Sequence, residues 1–290
     1  MRLNPFDTSK IKVRGGGSGG RSKARRAGGV GIVGIVIAII GALAFGINPA
    51  TTLGVLGGLE GAAQSDESTA ARELSEDQLC SSGPYAAESC SALQSLNETW
   101  EPVFARADIR FEQPELVLYP PGPIRTKGCG STTSASGPFY CPADFGIYIE
   151  TGFFDQLAQM SGTRGDFARL YVMAHEYAHH IQNLTGTMAE VRRIQQRRPQ
   201  EASQWTVRLE LQADCYAGVW AGKNRARIDP GDLEEGLMAA GAVGDDTIQR
   251  RQGRRINPES FTHGTSQQRI EALRRGFNSG DDNACDAYFE

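Results

Sequence analysis

Met173-Ala174-His175-Glu176-Tyr177-Ala178-His179-His180-Ile181-Gln182 sits within a longer stretch whose apolar residues Phe167, Leu170, Ala174, Ala178, Ile181 and Leu184 recur at spacings of three and four. That period predicts a helix with one apolar stripe, closing near Gly186, where a C-terminal cap is expected. Helix positions i and i+4 share a face, so His175 and His179 can offer imidazole nitrogens to a single ion. Glu176 projects beside them, placed to take a proton from a water without ligating the ion. The chain has 4 histidines, and this stretch holds all of them except His263.

A catalytic zinc takes three protein ligands and keeps one position for water. The HExxHxxGxxH pattern, which would add a third histidine, is absent, so a carboxylate from a later helix is the alternative. A second helix is expected from about Gln204 to Lys223, with Trp205, Leu209, Ala213 and Trp220 on one side. It carries Glu210 and Asp214 at i and i+4. Glu210 can complete the metal site while Asp214 reaches the far nitrogen of a ligating histidine and fixes its tautomer. A solvated helix face is the bland reading of these acids. Their neighbours Leu209, Leu211, Ala213 and Tyr216 argue against it, because acids in apolar company need a partner.

Three segments together resemble the bacterial neutral zinc metallopeptidase family. They are Met173–Gln182, Glu210-Leu211-Gln212-Ala213-Asp214-Cys215-Tyr216-Ala217-Gly218, and Ser260-Phe261-Thr262-His263-Gly264-Thr265-Ser266-Gln267-Gln268-Arg269. The likeness runs from about Leu79 to the C-terminus and extends to a basic tail and a single span. Through its ExxAD element the family is similar to gluzincin peptidases, which implies Zn²⁺ held by His175, His179 and Glu210, with Asp214 as support. The 31 positions between His179 and Glu210 exceed the spacing of thermolysin-like enzymes. Residues 187–203 must therefore form an extra helix or excursion.

His263 is a candidate catalytic residue, donating to the oxyanion that forms on the attacked carbonyl; a turn histidine capping the last helix is the alternative. Arg269 either binds a substrate carboxylate or braces the site through an ion pair. His180, next to a ligand but pointing elsewhere, is read as structural, and Tyr216 as core packing. The function expected is hydrolysis of peptide bonds, on a peptide or protein substrate, through a zinc-activated water with Glu176 as general base. A non-catalytic zinc-binding envelope scaffold or chaperone is the rival, and a zinc amidase acting on cell-wall peptides shares the same chemistry.

The remaining sequence sets the frame. Residues 1–29 have no hydrophobic periodicity and read as a disordered basic tail. Arg2, Lys10, Lys12, Arg14, Arg21, Lys23, Arg25 and Arg26 face only Asp7 in residues 1–26, so a net charge of −4 leaves the rest clearly acidic. That balance argues against a nucleic-acid partner. Residues 27–59 carry no charge, and residues 30–52 are assigned to a transmembrane helix. Its basic flank puts the N-terminus in the cytoplasm and the catalytic domain outside the bacterial cytoplasmic membrane, single-pass. A cleaved signal peptide, with Ala42-Leu43-Ala44 as its site, is the alternative. Residues 53–78 read as a linker and 79–290 as the metallopeptidase domain.

The fold class expected is α+β: a single transmembrane helix followed by a mainly helical, zincin-like domain with a small β-sheet. Its β-type stretches are Glu115–Tyr119 and Gly146–Glu150, and the latter is expected to be an edge to which an extended peptide could pair. Asp229-Pro230-Gly231-Asp232 predicts a turn opening a third helix, and Thr265-Ser266-Gln267-Gln268 a capping box for the last. Cys80, Cys90, Cys129, Cys141, Cys215 and Cys285 all follow the apolar run, which suggests disulfides. Proximity favours Cys80–Cys90 and Cys129–Cys141, leaving Cys215–Cys285.

Overall fold

Leu116-Val117-Leu118 and Ile147-Tyr148-Ile149 are unbroken apolar runs, as expected of strands covered on both faces. In the computed structural model, which describes residues 1–16 and 74–290, both lie in a four-stranded sheet. Its strands are β1 (Lys12–Gly15), β2 (Glu115–Tyr119), β5 (Phe139–Cys141) and β6 (Gly146–Glu150), in the order β1-β2-β6-β5. β1, β2 and β6 run parallel, and β5 is antiparallel at the edge. β3 (Pro123–Arg125) and β4 (Ser131–Thr133) form a separate antiparallel pair. Alternate side chains leave the sheet in opposite directions. Leu116, Leu118, Tyr140, Ile147 and Ile149 enter the main helical core. Val117, Tyr119, Phe139, Cys141 and Tyr148 pack with Ile124 of β3 on the other face.

The helices are α1 (Glu76–Cys80), α2 (Pro84–Arg106), α3 (Phe153–Ser161), α4 (Asp166–Leu184), α5 (Thr187–Arg197), α6 (Ala202–Lys223), α7 (Asp232–Ala242), α8 (Asp245–Arg251) and α9 (Ser266–Ser279). The third helix opens after Gly231, and α9 carries the expected box, with Thr265 and Gln268 capping each other's backbone. α5 is the excursion between the histidine helix and Glu210. α4 is buried nearly all round rather than along one stripe: from Phe167 to Gln182 every residue except Arg169 is buried. Each polar side chain on it therefore needs a partner. α6 and α9 approach closely because glycines face backbone there. A Cβ at Gly276 would lie 1.9 Å from the Cys215 carbonyl oxygen, and one at Gly218 2.1 Å from that of Leu273.

All three expected disulfides form: Cys80–Cys90, Cys129–Cys141 and Cys215–Cys285. The last closes a separation of 70 residues, for which chain entropy gives about 4 kcal/mol of stabilisation.

Three expectations need correction. Residues 1–16 are not a disordered tail. Ile11 and Val13 are buried, β1 pairs with β2, and Arg14 donates to Glu115 (2.6 Å) and to the Tyr148 hydroxyl (2.7 Å). Periodicity missed this strand because it is short and only Val13 is buried in it. The single transmembrane helix is overturned as well. No helix among the described residues is long and apolar enough to cross a membrane, and residues 30–52 lie outside the described residues. A chain crossing a bilayer once between β1 and β2 would leave these two strands on opposite sides, yet they share a sheet. Finally, Gly146–Glu150 is no edge: β6 is paired on both sides, and β5 is the edge strand.

Candidate metal centre

Burying α4 forces its polar side chains to find partners, and those partners build the site. Glu210 of α6 meets both histidines: its Oε2 lies 3.1 Å from His175 Nε2 and its Oε1 3.4 Å from His179 Nε2. Among the described residues these three can converge on one ion: their ligand atoms all lie within 4.8 Å of one another. The opposite nitrogens are engaged. His175 Nδ1 lies 2.8 Å from Asp214 Oδ1, and a carboxylate only accepts, so Nδ1 carries the hydrogen. His179 Nδ1 lies 2.9 Å from Gln182 Oε1. The Gln182 amide donates its own hydrogens to the Leu209 carbonyl (2.8 Å) and Gln212 Oε1 (3.0 Å), which fixes its oxygen toward His179. Both Nε2 atoms thus face the Glu210 carboxylate, an arrangement that a proton or a metal ion must bridge. A donor set of this kind calls for a cation, and it fits a metal ion.

The electrostatics agree. Burial works against a proton on His175, but Asp214 and Glu210 outweigh it and push its pKa up to about 10. Burial likewise opposes charge on Glu210, yet His179, His263 and His175 hold it well below the usual carboxylate range. Glu176, which lines the same cavity, is raised by burial, with His179 and His175 pulling the other way.

Around this centre, Asp214 is fully buried and gripped by Arg269. Nε donates to Oδ2 at 2.8 Å and Nη2 to Oδ1 at 3.0 Å. The Tyr171 hydroxyl donates to Oδ1 at 2.6 Å and accepts from Arg269 at 3.1 Å. Burial would raise the Asp214 carboxyl, but Arg269 and His175 hold it down at about 2. Arg269 therefore braces the site and is not left to bind substrate. The close α6–α9 approach brings it there.

His263 also reaches the site. Its Nε2 lies 3.9 Å from Glu210 Oε2, and the Thr262 hydroxyl is 3.0 Å from its Nδ1. Asp245, the first residue of α8, holds the loop: Oδ2 accepts from the backbone N–H of Thr262 (2.7 Å), His263 (2.7 Å) and Gly264 (3.0 Å). Sequence reading missed Asp245, Gln182 and Tyr171. Gln182 and Tyr171 stand at i+3 from His179 and i−4 from His175, so helix geometry alone puts them on the histidine face. Asp245 has no such signal.

The centre opens into a cavity of about 130 Å³. Ser136, Gly137, Pro138 and Phe139 line one side, at the start of the edge strand; Phe153, Met160, Val172, Val243 and Ile248 make the apolar wall. A second acidic group, Asp166, Asp232 and Glu235, faces the α-amino group of Met1, which lies 3.0 Å from Asp166 and 2.7 Å from Asp232. His180 points away from the centre, and Tyr216 packs edge-on against Trp100, both as expected.

Two histidines and a carboxylate from neighbouring helices, with a further glutamate beside them, define a candidate His-His-Glu metal centre. The chain belongs to the family described as "Putative neutral zinc metallopeptidase", whose model matches residues 6–288, a span that takes in β1. It is similar to the protein called "Uncharacterized protein YpfJ" of Escherichia coli (strain K12), with 47% identity over 199 residues, 68% of this chain and 69% of that one. It is also similar to "Uncharacterized protein Mb2605" of Mycobacterium bovis and "Uncharacterized protein Rv2575" of Mycobacterium tuberculosis (strain H37Rv), each 40% identical over 207 residues, 67% of both chains. No solved structure matches the chain significantly.

Proposed function

We propose that the chain is a zinc-dependent peptidase working in an oxidising compartment. The observation that carries this reading is the meeting of two imidazole Nε2 atoms with the Glu210 carboxylate, beside Glu176, in the lining of the cavity. Two histidines and one carboxylate, with a further direction open, suit zinc. Bound there, zinc would act as a Lewis acid on a carbonyl and make water more acidic. The protein's own groups do the rest. Glu176 accepts the proton of the attacking water and passes it to the leaving amine. His263 Nδ1 lies 3.0 Å from the Thr262 hydroxyl and 3.6 Å from Asp245 Oδ1, which orients the ring; a hydrogen on Nε2 is then donated to the oxygen that gains charge. Asp214, held by Arg269 and Tyr171, keeps His175 in the ligating tautomer.

Substrate chemistry follows from the walls. Among the described strands β5 pairs on one side only, and the residues leading into it line the cavity. An extended peptide can add there as a further strand, with a bulky apolar side chain against Phe153, Met160, Val172, Val243 and Ile248. Three disulfides support an oxidising location. The test is metal content together with cleavage of a peptide library. The expected result is one zinc per chain and cuts beside large apolar residues, lost on chelation and restored by zinc. A fully zinc-loaded protein that cuts no peptide overturns the peptidase reading; cuts beside charged residues overturn the selectivity.

A further inference from the structure

α4 carries metal donors on one side and, one residue further on, the anchors of the edge strand. His180 is fully buried. Its Nε2 donates to the Glu112 carbonyl at 2.6 Å, so Nδ1 is bare and accepts from the Tyr140 hydroxyl at 2.9 Å. Tyr140 is the middle residue of β5. The same hydroxyl accepts from Asn183 Nδ2 at 2.9 Å, and Asn183 also donates to the Pro142 carbonyl at 3.1 Å. Cys141, the last residue of the strand, is bonded to Cys129. A three-residue strand with one paired edge has little of its own to hold it. Here Tyr140 is held by two side chains of the helix that bears His175 and His179, and Cys141 by the disulfide.

We infer that His180 and Asn183, acting through Tyr140, are positioning residues that set the free edge of β5 at a fixed place relative to the metal donors, so that an extended peptide pairing with it brings its scissile bond to the centre. The inference rests on the peptidase reading for its substrate and on the hydrogen bonds for the anchor. Successive helix residues are turned by about 100°, so His179 can face the cavity while His180 reaches the sheet. The helix, as a rigid body, then carries the spacing between strand and metal site.

Tyr140→Phe tests this, because it keeps the ring in the core and removes only the hydroxyl. Three readouts are taken on the zinc-loaded full chain: zinc content, amide hydrogen exchange at Phe139–Cys141, and KM and kcat for a long extended peptide and for a blocked dipeptide too short to pair with the strand. The inference expects unchanged zinc, faster exchange confined to β5, and KM for the long peptide raised about ten-fold with kcat little changed, while the dipeptide is unaffected. Equal losses for both substrates, or no change for either, overturn the positioning role. Should the wild type cut no peptide, exchange alone decides the anchor. Faster exchange in β5 retains it while the peptidase reading falls, and unchanged exchange removes it. His180→Asn serves as the second variant and is expected to reproduce the same split.

Discussion

Two sides of one helix treat the same residue type in opposite ways. His175, His179 and His180 are all buried on α4, with 6%, 6% and 0% of their surface exposed. On one side, Asp214 and Gln182 engage the Nδ1 atoms and turn both Nε2 atoms toward Glu210. On the other, Tyr140 and the Glu112 carbonyl satisfy both nitrogens of His180. The proton affinities part accordingly. Burial drives His180 down to about 4, the Glu112 carbonyl offsetting only part of it, whereas the carboxylates around His175 overcome burial and lift it to about 10. Burial and position in the motif do not separate a ligand from a strut. What the second nitrogen touches does.

The largest effect is expected where the contrast is removed altogether. Glu210→Ala takes away the carboxylate that both Nε2 atoms face, and should abolish stoichiometric zinc and all hydrolysis, read by metal analysis and peptide cleavage. Next comes the brace. Arg269→Met leaves Asp214 buried without its cation, which should cost about 3–5 kcal/mol of stability in denaturant unfolding and about 10–100-fold in zinc affinity by competition with a chelator. Asp245→Ala frees the loop that presents His263. It should lower kcat about 100-fold, in the range for loss of an oxyanion donor, with zinc content unchanged; a full kcat would detach His263 from the reaction. The smallest change is expected on the other side of the helix. His180→Phe leaves the Glu112 carbonyl and the Tyr140 hydroxyl without their partner, costing about 1–3 kcal/mol of stability while zinc affinity stays at the wild-type value. A loss of zinc there would erase the distinction between the two sides.

Much of the centre was legible because it is local. His175, Glu176 and His179 are read from helix spacing, and Glu210 and Asp214 from acids set in an apolar helix; all meet in the fold. β2, β6 and the pairs Cys80–Cys90 and Cys129–Cys141 were legible for the same reason, since unbroken apolar runs and short cysteine separations are local signals; Cys215–Cys285, 70 residues apart, followed only as the remaining pair. Illegible parts depend on contacts between distant segments. β1 is one short strand at the far end of the chain, with a single buried position, and its reading as a basic tail followed from the charges that flank Val13. β6 was misread as an edge because β5 has only three residues. Asp245 acts 18 positions before His263 and through backbone N–H groups, which no residue pattern announces. Arg269 pointed two ways in sequence, and only the glycine-lined approach of α9 to α6 decides between them.

The central claim is that Glu176 is the proton carrier of a zinc peptidase and not a ligand. Glu176→Gln, set beside the wild type with both zinc-loaded and assayed on the same peptide, tests it most directly. One zinc per chain is expected in both, with hydrolysis lower by about 10²–10⁴-fold in the variant. Equal hydrolysis by the two proteins, or loss of zinc from the variant, would contradict it.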